Sequence, residues 1–135
     1  MTLTITALTA AALALLLVYL SITTIRMRMK HSVAYGDAGQ HDLTAAIRAH
    51  GNLTEYAPIG IILIALLESG GANRTILSIV AAVFVGARLL NAIGLFNPPG
   101  PPKPARSIGI VVTLLTLLGL ALWLAARALI PADMG

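Results

Sequence analysis

Four long apolar stretches, separated by shorter polar ones, dominate the pattern of this chain. Residues 3–25 contain no charged side chain, and three further apolar stretches follow at residues 43–67, 75–96 and 107–130. At about 1.5 Å per residue, each makes a helix long enough to cross a hydrocarbon core about 30 Å thick. The first stretch lacks the basic start and short apolar run of a cleaved signal peptide. The pattern therefore predicts four retained membrane-spanning helices.

The polar stretches between these spans are short. Residues 26–42 begin with three basic side chains, and residues 68–74 contain two adjacent glycines. Residues 97–105 hold five of the seven prolines, which predicts an extended, stiff linker. Short connections place successive helices side by side in opposite directions. We therefore predict an all-α, up-down-up-down four-helix bundle, with residues 1–135 forming a single membrane domain.

Composition agrees with this prediction and narrows the possible chemistry. Of the 135 residues, 58% are hydrophobic and 10% are charged, whereas a soluble domain has about 25% charged residues. The sequence has no cysteine, which excludes a disulfide scaffold. Any thiol chemistry must therefore use a thiol that a ligand brings.

The distribution of basic residues predicts the orientation in the membrane. The first and third connections and their edges carry five Lys or Arg residues, and the opposite side carries two. The five are Arg26, Arg28, Lys30, Lys103 and Arg106, and the two are Arg74 and Arg127. Because Lys and Arg favour the cytoplasmic side, we expect both termini outside and the first and third connections in the cytoplasm.

The second span carries an unusual polar stripe. At about 100° per residue, Arg48, Asn52 and Glu55 fall within about 60° of one another, and Tyr56 extends the stripe, whereas His50 points elsewhere. A charge inside a bilayer costs at least about 2.5 kcal/mol, so these side chains must face protein or a wet cavity. An internal Arg48–Glu55 pair that fixes helix packing is one explanation. A polar pocket for an acidic or zwitterionic ligand is the other.

Further polar residues lie at the same level of the bundle. Arg88 and Asn91 share a face of the third span, and Ser107 is predicted to cap the fourth helix. Four cations thus face a single carboxylate within the spans, an imbalance that favours an anionic partner. The cations are Arg26, Arg48, Arg88 and Arg106, and the carboxylate is Glu55. An alternative for Arg26 and Arg106 is that they reach lipid phosphates.

Several other kinds of site are not expected. His31, His41 and His50 lack metal-ligand spacing, which argues against a metal site. Residues 36–39 lack the Lys-Ser/Thr ending of a phosphate loop. The basic residues are dispersed among apolar spans and are not interleaved with aromatics, which argues against nucleic acid.

The run Arg-Ala-His-Gly-Asn-Leu-Thr-Glu-Tyr at residues 48–56, followed by Pro58, resembles a known signature. It is similar to the Arg-x-x-x-Asn-x-x-Glu pattern in the second helix of the MAPEG superfamily, the membrane-associated proteins of eicosanoid and glutathione metabolism. The resemblance extends over four spans, a basic end to the first helix, an arginine in the third and an Arg-Ser pair at the fourth. Within the superfamily, the chain resembles a bacterial branch of small inner-membrane proteins.

The resemblance implies a homotrimer in the inner membrane that binds glutathione in clefts between subunits, on the cytoplasmic side. It implies a glutathione transferase or peroxidase that uses glutathione as co-substrate against lipophilic electrophiles or hydroperoxides. By position, the residues expected to bind glutathione are Arg26, Arg48, Asn52, Glu55, Tyr56 and Arg88. Arg106 and Ser107 are expected to be catalytic, with Arg106 activating the thiol.

One departure from the family pattern bears on activity. Eicosanoid-making members carry a tyrosine near the end of the third helix, where this chain has Leu95, so eicosanoid synthesis is not expected. Two alternatives stay open. One is a membrane protein of the same fold that binds glutathione without turnover. The other is a small multidrug transporter, although that class uses a carboxylate in its first span, and residues 3–25 have none.

Overall fold

The computed structural model describes residues 2–96 and 104–130, and these residues form four α-helices. The helices are α1 (Thr4–His31), α2 (His41–Ser69), α3 (Arg74–Leu95) and α4 (Pro104–Leu129). All four are long and apolar enough to cross a membrane. A helix satisfies its own backbone hydrogen bonds, as the interior of a bilayer requires. The predicted all-α fold is thus confirmed for the described residues, with four helices that are capable of spanning a membrane. The predicted extended linker is wrong for Pro104 and Ala105, which are helical, and its residues 97–103 lie outside the described residues.

Two helix ends differ from the sequence prediction. α1 continues six residues beyond Ile25, to His31, and its last turn is basic, which suits the negative end of the helix dipole. Ser32, with φ of 55°, then ends the helix. α4 begins at Pro104, because proline is favoured at the first helical position, where its missing N–H costs nothing. Ser107 is therefore the fourth residue of α4, and its prediction as a helix cap is wrong.

The helices are packed in an antiparallel order. Lys30 at the end of α1 pairs with Asp42 at the start of α2, at 2.7 Å. At the other end, the backbone N–H of Ile5 in α1 donates to Glu68 in α2, at 2.9 Å. α2 and α3 lie in the centre, with α1 and α4 on opposite sides of them; in the described part of the chain, α1 and α4 do not contact each other.

Glycines allow the closest approaches between helices. A Cβ at Gly60 of α2 would lie 2.3 Å from the Phe84 ring of α3. A Cβ at Gly94 of α3 would lie 2.5 Å from the backbone nitrogen of Arg106, and one at Gly109 would lie 2.7 Å from that of Asn91. Small residues let transmembrane helices approach in this way. The first turns of α4 are therefore held directly against the end of α3.

An open apolar groove of about 440 Å³ lies between α1 and α2. Its walls are Leu13, Ala14, Leu17, Leu53, Thr54, Ala57, Pro58, Ile61 and Ile62. On α2, these residues directly precede and follow Glu55 and Tyr56 of the predicted stripe. The groove therefore runs beside the polar part of α2.

Candidate functional site

Arg88 is the centre of a polar cluster between α2, α3 and α4. The residue is 2% exposed. Its Nη1 donates to the side-chain oxygen of Asn52 at 2.7 Å and to the Asn52 backbone carbonyl at 3.4 Å. Its Nε donates to the hydroxyl of Thr113 at 2.9 Å, and its Nη2 donates to the same hydroxyl and to the Gly109 carbonyl. The guanidinium carbon lies 5.0 Å from the centre of the Tyr56 ring. We call these five residues the Arg88 cluster.

The charge of Arg88 is not neutralised within the described chain. Within the described residues, 2–96 and 104–130, the ion pairs are Lys30–Asp42 and His31–Asp42. Neither involves Arg88. Every acceptor around the guanidinium is neutral. A buried cation without a counter-charge is costly, even when all its hydrogen bonds are made. The Arg88 cluster is therefore satisfied in hydrogen bonding but unbalanced in charge.

The predicted stripe on α2 is divided by its surroundings. Asn52 and Tyr56 are half-buried and contact Arg88, whereas Arg48 and Glu55 are exposed. Neither exposed side chain makes a hydrogen bond or ion pair with another described residue. The internal Arg48–Glu55 pair, which was one explanation of the stripe, is thus not formed. Both groups remain accessible on the outer face of α2.

Arg106 lies in the first turns of α4, next to the end of α3. The side-chain nitrogen of buried Asn91 donates to the Arg106 carbonyl at 3.3 Å, and the Arg106 backbone packs against Gly94. The backbone of Arg106 is therefore held by contacts with α3. Asn91 follows Arg88 by three residues and lies on the same face of α3. This face therefore carries Arg88 and also contacts the backbone of Arg106.

Two predicted site residues stand apart from the Arg88 cluster. Arg26 is exposed on α1, and Ser107 is exposed on α4. Neither makes a hydrogen bond with the cluster in the described chain. The structure thus brings together Asn52, Tyr56 and Arg88, and it links Arg106 to α3 through Asn91.

The cluster also contains a residue that sequence analysis did not single out. Thr113 is fully buried, and its hydroxyl donates to the Gly109 carbonyl at 2.8 Å while it accepts from Arg88. Thr113 could have been found from the sequence, because it is a hydroxyl residue in an apolar span and shares a helix face with Gly109, one turn earlier.

A second overlooked residue, Glu68, lies at the opposite end of the bundle. The residue is 8% exposed, and its carboxylate accepts from the backbone N–H groups of Ile5 and Thr6, at 2.9 and 2.8 Å. It also accepts from the Thr6 hydroxyl at 2.8 Å. Leu3, at the cap position of α1, provides no side-chain hydrogen bond, so α2 supplies the cap of α1. Sequence analysis assigned Glu68 to a connection.

Comparison with known proteins identifies the family of the chain. The chain matches the model of the MAPEG family over residues 6–126. It is 42% identical over 93 residues to "Inner membrane protein YecN" of Escherichia coli strain K12, a match that covers 69% of this chain and 71% of that protein. The protein of the same name from Escherichia coli O6:H1 gives the same values. On these matches, and with four helices that are suited to span a membrane, the chain belongs to the MAPEG family.

Proposed function

We propose that this protein binds glutathione beside the Arg88 cluster and that the bound thiolate reacts with lipophilic electrophiles or hydroperoxides. The observation that carries the proposal is the buried, uncompensated charge of Arg88. Glutathione brings two carboxylates, an ammonium group and a thiol. A glutathione carboxylate near Asn52 would balance the charge of Arg88, which pairs with no carboxylate of the described residues.

The exposed residues of α2 support the same ligand. Arg48 offers a planar fork that suits a carboxylate, and Glu55 offers a carboxylate for an ammonium group. In one chain Arg48 and Glu55 are exposed on α2, and Arg26 is exposed on α1. We propose that a neighbouring subunit of a homotrimer covers these residues and completes the site. The five-to-two bias of basic residues supports a site that faces the cytoplasm.

Arg106 is proposed to stabilise the thiolate. A free thiol has a pKa of about 8.5 and is mostly protonated at neutral pH, and a nearby guanidinium favours its ionised form. The thiolate then attacks an electrophilic carbon, a sulfur–carbon bond forms, and the leaving group departs with its electron pair. Ser107 is proposed to assist as a hydrogen-bond donor.

The peroxidase reaction would use the same thiolate. Its sulfur attacks the outer oxygen of a hydroperoxide, the oxygen–oxygen bond breaks, and the released alkoxide takes a proton to become an alcohol. A second glutathione then condenses with the sulfenic acid to give the disulfide and water. The apolar groove between α1 and α2, about 440 Å³ in volume, is large enough for a lipophilic molecule beside the polar stripe.

The test titrates glutathione into the purified protein in detergent and follows calorimetric heat and thiolate absorbance in the ultraviolet. Asn52→Ala should weaken binding about tenfold, which corresponds to about 1.4 kcal/mol for a hydrogen bond to a charged group. His50→Ala changes the opposite side of α2 and should bind normally. Equal affinity of Asn52→Ala and the original protein would remove the stripe from the site.

The same titration separates binding from chemistry. Arg106→Ala should lower the thiolate signal more than the affinity, because the interaction is gained when the thiol ionises. Equal thiolate signals in the two proteins would remove Arg106 from the mechanism. Binding with no thiolate signal in either protein would instead support a protein that holds glutathione without turnover.

A further inference from the structure

Thr113 determines how the guanidinium of Arg88 is oriented. A threonine hydroxyl has one hydrogen and two lone pairs. The hydrogen is directed to the Gly109 carbonyl, at 2.8 Å within the same helix. The lone pairs are therefore available to Arg88, whose Nε donates at 2.9 Å and whose Nη2 donates as well. This directionality leaves Thr113 as an acceptor on the side that faces α3.

The orientation of Arg88 in turn determines the orientation of the Asn52 amide. The guanidinium is planar and rigid, so fixing its Nε edge on Thr113 also fixes the direction of Nη1. Nη1 donates to the side-chain oxygen of Asn52 at 2.7 Å. An arginine has no acceptor, so the amide must present its oxygen, and not its nitrogen, to Arg88.

The Asn52 nitrogen is consequently directed away from Arg88. It makes no hydrogen bond to another residue in the described chain, and Asn52 is half-buried. The Asn52 amide therefore offers two N–H donors at this point, while its oxygen is occupied by Arg88. Such a group recognises a carboxylate or an amide carbonyl and disfavours an ammonium.

We infer that Thr113 is a positioning residue: through Arg88, it holds the Asn52 amide with its donors toward the ligand, and so selects an acceptor group there. The inference rests on the proposed function for the identity of the ligand. The geometry of Thr113, Arg88 and Asn52 does not depend on that function. Thr113 itself does not touch the ligand.

The experiment uses full-length protein in detergent with ¹⁵N in arginine and asparagine side chains. Thr113→Val removes the hydroxyl at nearly constant shape, and Thr113→Ser restores it. Thr116→Val is the matched control, because within the described residues the Thr116 hydroxyl donates to the backbone carbonyls of Val112 and Thr113 and not to Arg88. Without ligand, Thr113→Val should speed exchange of the Arg88 Nε–H at least tenfold and shift the Asn52 amide resonances. It should also weaken glutathione binding about tenfold.

Each outcome decides the inference. Unchanged Arg88 and Asn52 resonances in Thr113→Val would overturn it, and so would equal effects of Thr113→Val and Thr116→Val or a failure of Thr113→Ser to restore the signals. If the resonances respond as expected but the original protein does not bind glutathione, the positioning role stands and the proposed function fails. If glutathione binds and Thr113→Val leaves the resonances unchanged, the proposed function stands and the positioning role fails.

Discussion

Among the described residues, one charged side chain is buried at each end of the bundle, and the two have different surroundings. Glu68 lies between the start of α1 and the end of α2, and it is 8% exposed. Arg88 lies in the half of the bundle where α2 and α4 begin, and it is 2% exposed. Both make several hydrogen bonds. The difference lies in what accepts or donates those bonds.

At the Glu68 end, groups of the same chain stabilise the negative charge. The carboxylate receives two backbone N–H groups and one hydroxyl from the first turn of α1. These N–H groups have no partner inside the helix, and they form the positive end of its dipole. Arg127 of α4 also donates to the Gly70 carbonyl at 2.6 Å. This end is closed by contacts within one chain.

At the Arg88 end, hydrogen bonds are complete but charge is not balanced. Asn52, Thr113 and Gly109 supply neutral oxygens, and neither ion pair of the described residues includes Arg88. Hydrogen-bond satisfaction and charge balance are separate requirements, and the Arg88 end meets the first alone. The Glu68 end, where the charge is stabilised within the chain, contributes to the stability of the fold. The Arg88 end, where the charge is not balanced, is suited to bind an anionic ligand.

The largest expected effect breaks the closed end. Glu68→Ala leaves the first N–H groups of α1 without acceptors, and hydrogen bonds to a charged group contribute about 1.5–3 kcal/mol each. We expect a loss of about 3 kcal/mol in unfolding free energy, or roughly 6–12 °C in Tm for a chain of this size. Thermal unfolding in detergent, followed by circular dichroism, measures it. Glutathione affinity should stay unchanged at temperatures where the variant is folded.

Ser69→Ala is the matched control for Glu68→Ala. The Ser69 hydroxyl donates to the Leu66 carbonyl of its own helix at 3.0 Å, so its loss should leave Tm nearly unchanged. If Glu68→Ala kept its Tm but lost glutathione binding, the Glu68 end would serve ligand binding and not the stability of the fold, contrary to our assignment.

A smaller effect is expected where α3 and α4 touch beside Arg106. In Gly94→Ala, the new Cβ would lie 2.5 Å from the Arg106 backbone nitrogen, and backbone cannot move aside as a flexible side chain can. Overpacking of this kind costs about 1–3 kcal/mol, and it should displace the start of α4 and lower the thiolate signal. Tm and ultraviolet absorbance measure the two consequences.

Gly86→Ala provides the comparison within the same helix. Among the described residues, a Cβ at Gly86 would meet nothing within 4 Å. The unfolding free energy should therefore stay constant or rise by up to about 1 kcal/mol, and Tm should not fall. A thiolate signal that Gly94→Ala leaves intact would show that α3 does not position Arg106.

The sequence predicts the helices better than it predicts their contacts. Span number and approximate bounds follow from apolar length, because the bilayer imposes that length. The stripe of Arg48, Asn52 and Glu55 follows from helical spacing, but spacing does not say which members face inward. That division depends on how α2 is rotated against α3, which Gly60 and Phe84 determine by packing.

The partners of buried charges were the least predictable feature. Thr113 reaches Arg88 across 25 positions in sequence, and Glu68 reaches Thr6 across 62. Such pairs form because helices pack, and one sequence does not reveal the register of that packing. Ser107 failed as a predicted cap for a local reason, since Pro104 already starts the helix.

The smallest expected effect concerns the α1–α2 connection, at the same end of the bundle as Arg88. The Asp37 carboxylate accepts from the Gly39 N–H at 3.0 Å and from the Thr44 hydroxyl at 2.7 Å. The Gly39 N–H, followed by the Thr44 hydroxyl, lowers the pKa of Asp37 below its ordinary value. A carboxylate with a lower pKa in the folded state adds stability above its unfolded pKa, about 3.9, and this stability is lost as pH falls through the folded value.

Asp37→Asn should therefore lower Tm slightly at pH 7, and the difference from the original protein should disappear in acid. Comparing the two proteins at each pH cancels the titration of every other group that the substitution leaves unperturbed. The exposed position of this connection makes the effect small, because water competes for the same hydrogen bonds. A Tm difference that is the same at pH 7 and well below pH 4 would mean that the charge of Asp37 does not hold the connection. The hydrogen bonds of the Asp37 carboxylate would then stabilise the connection no more than the neutral amide of Asp37→Asn does, leaving the Lys30–Asp42 pair as its charged contact.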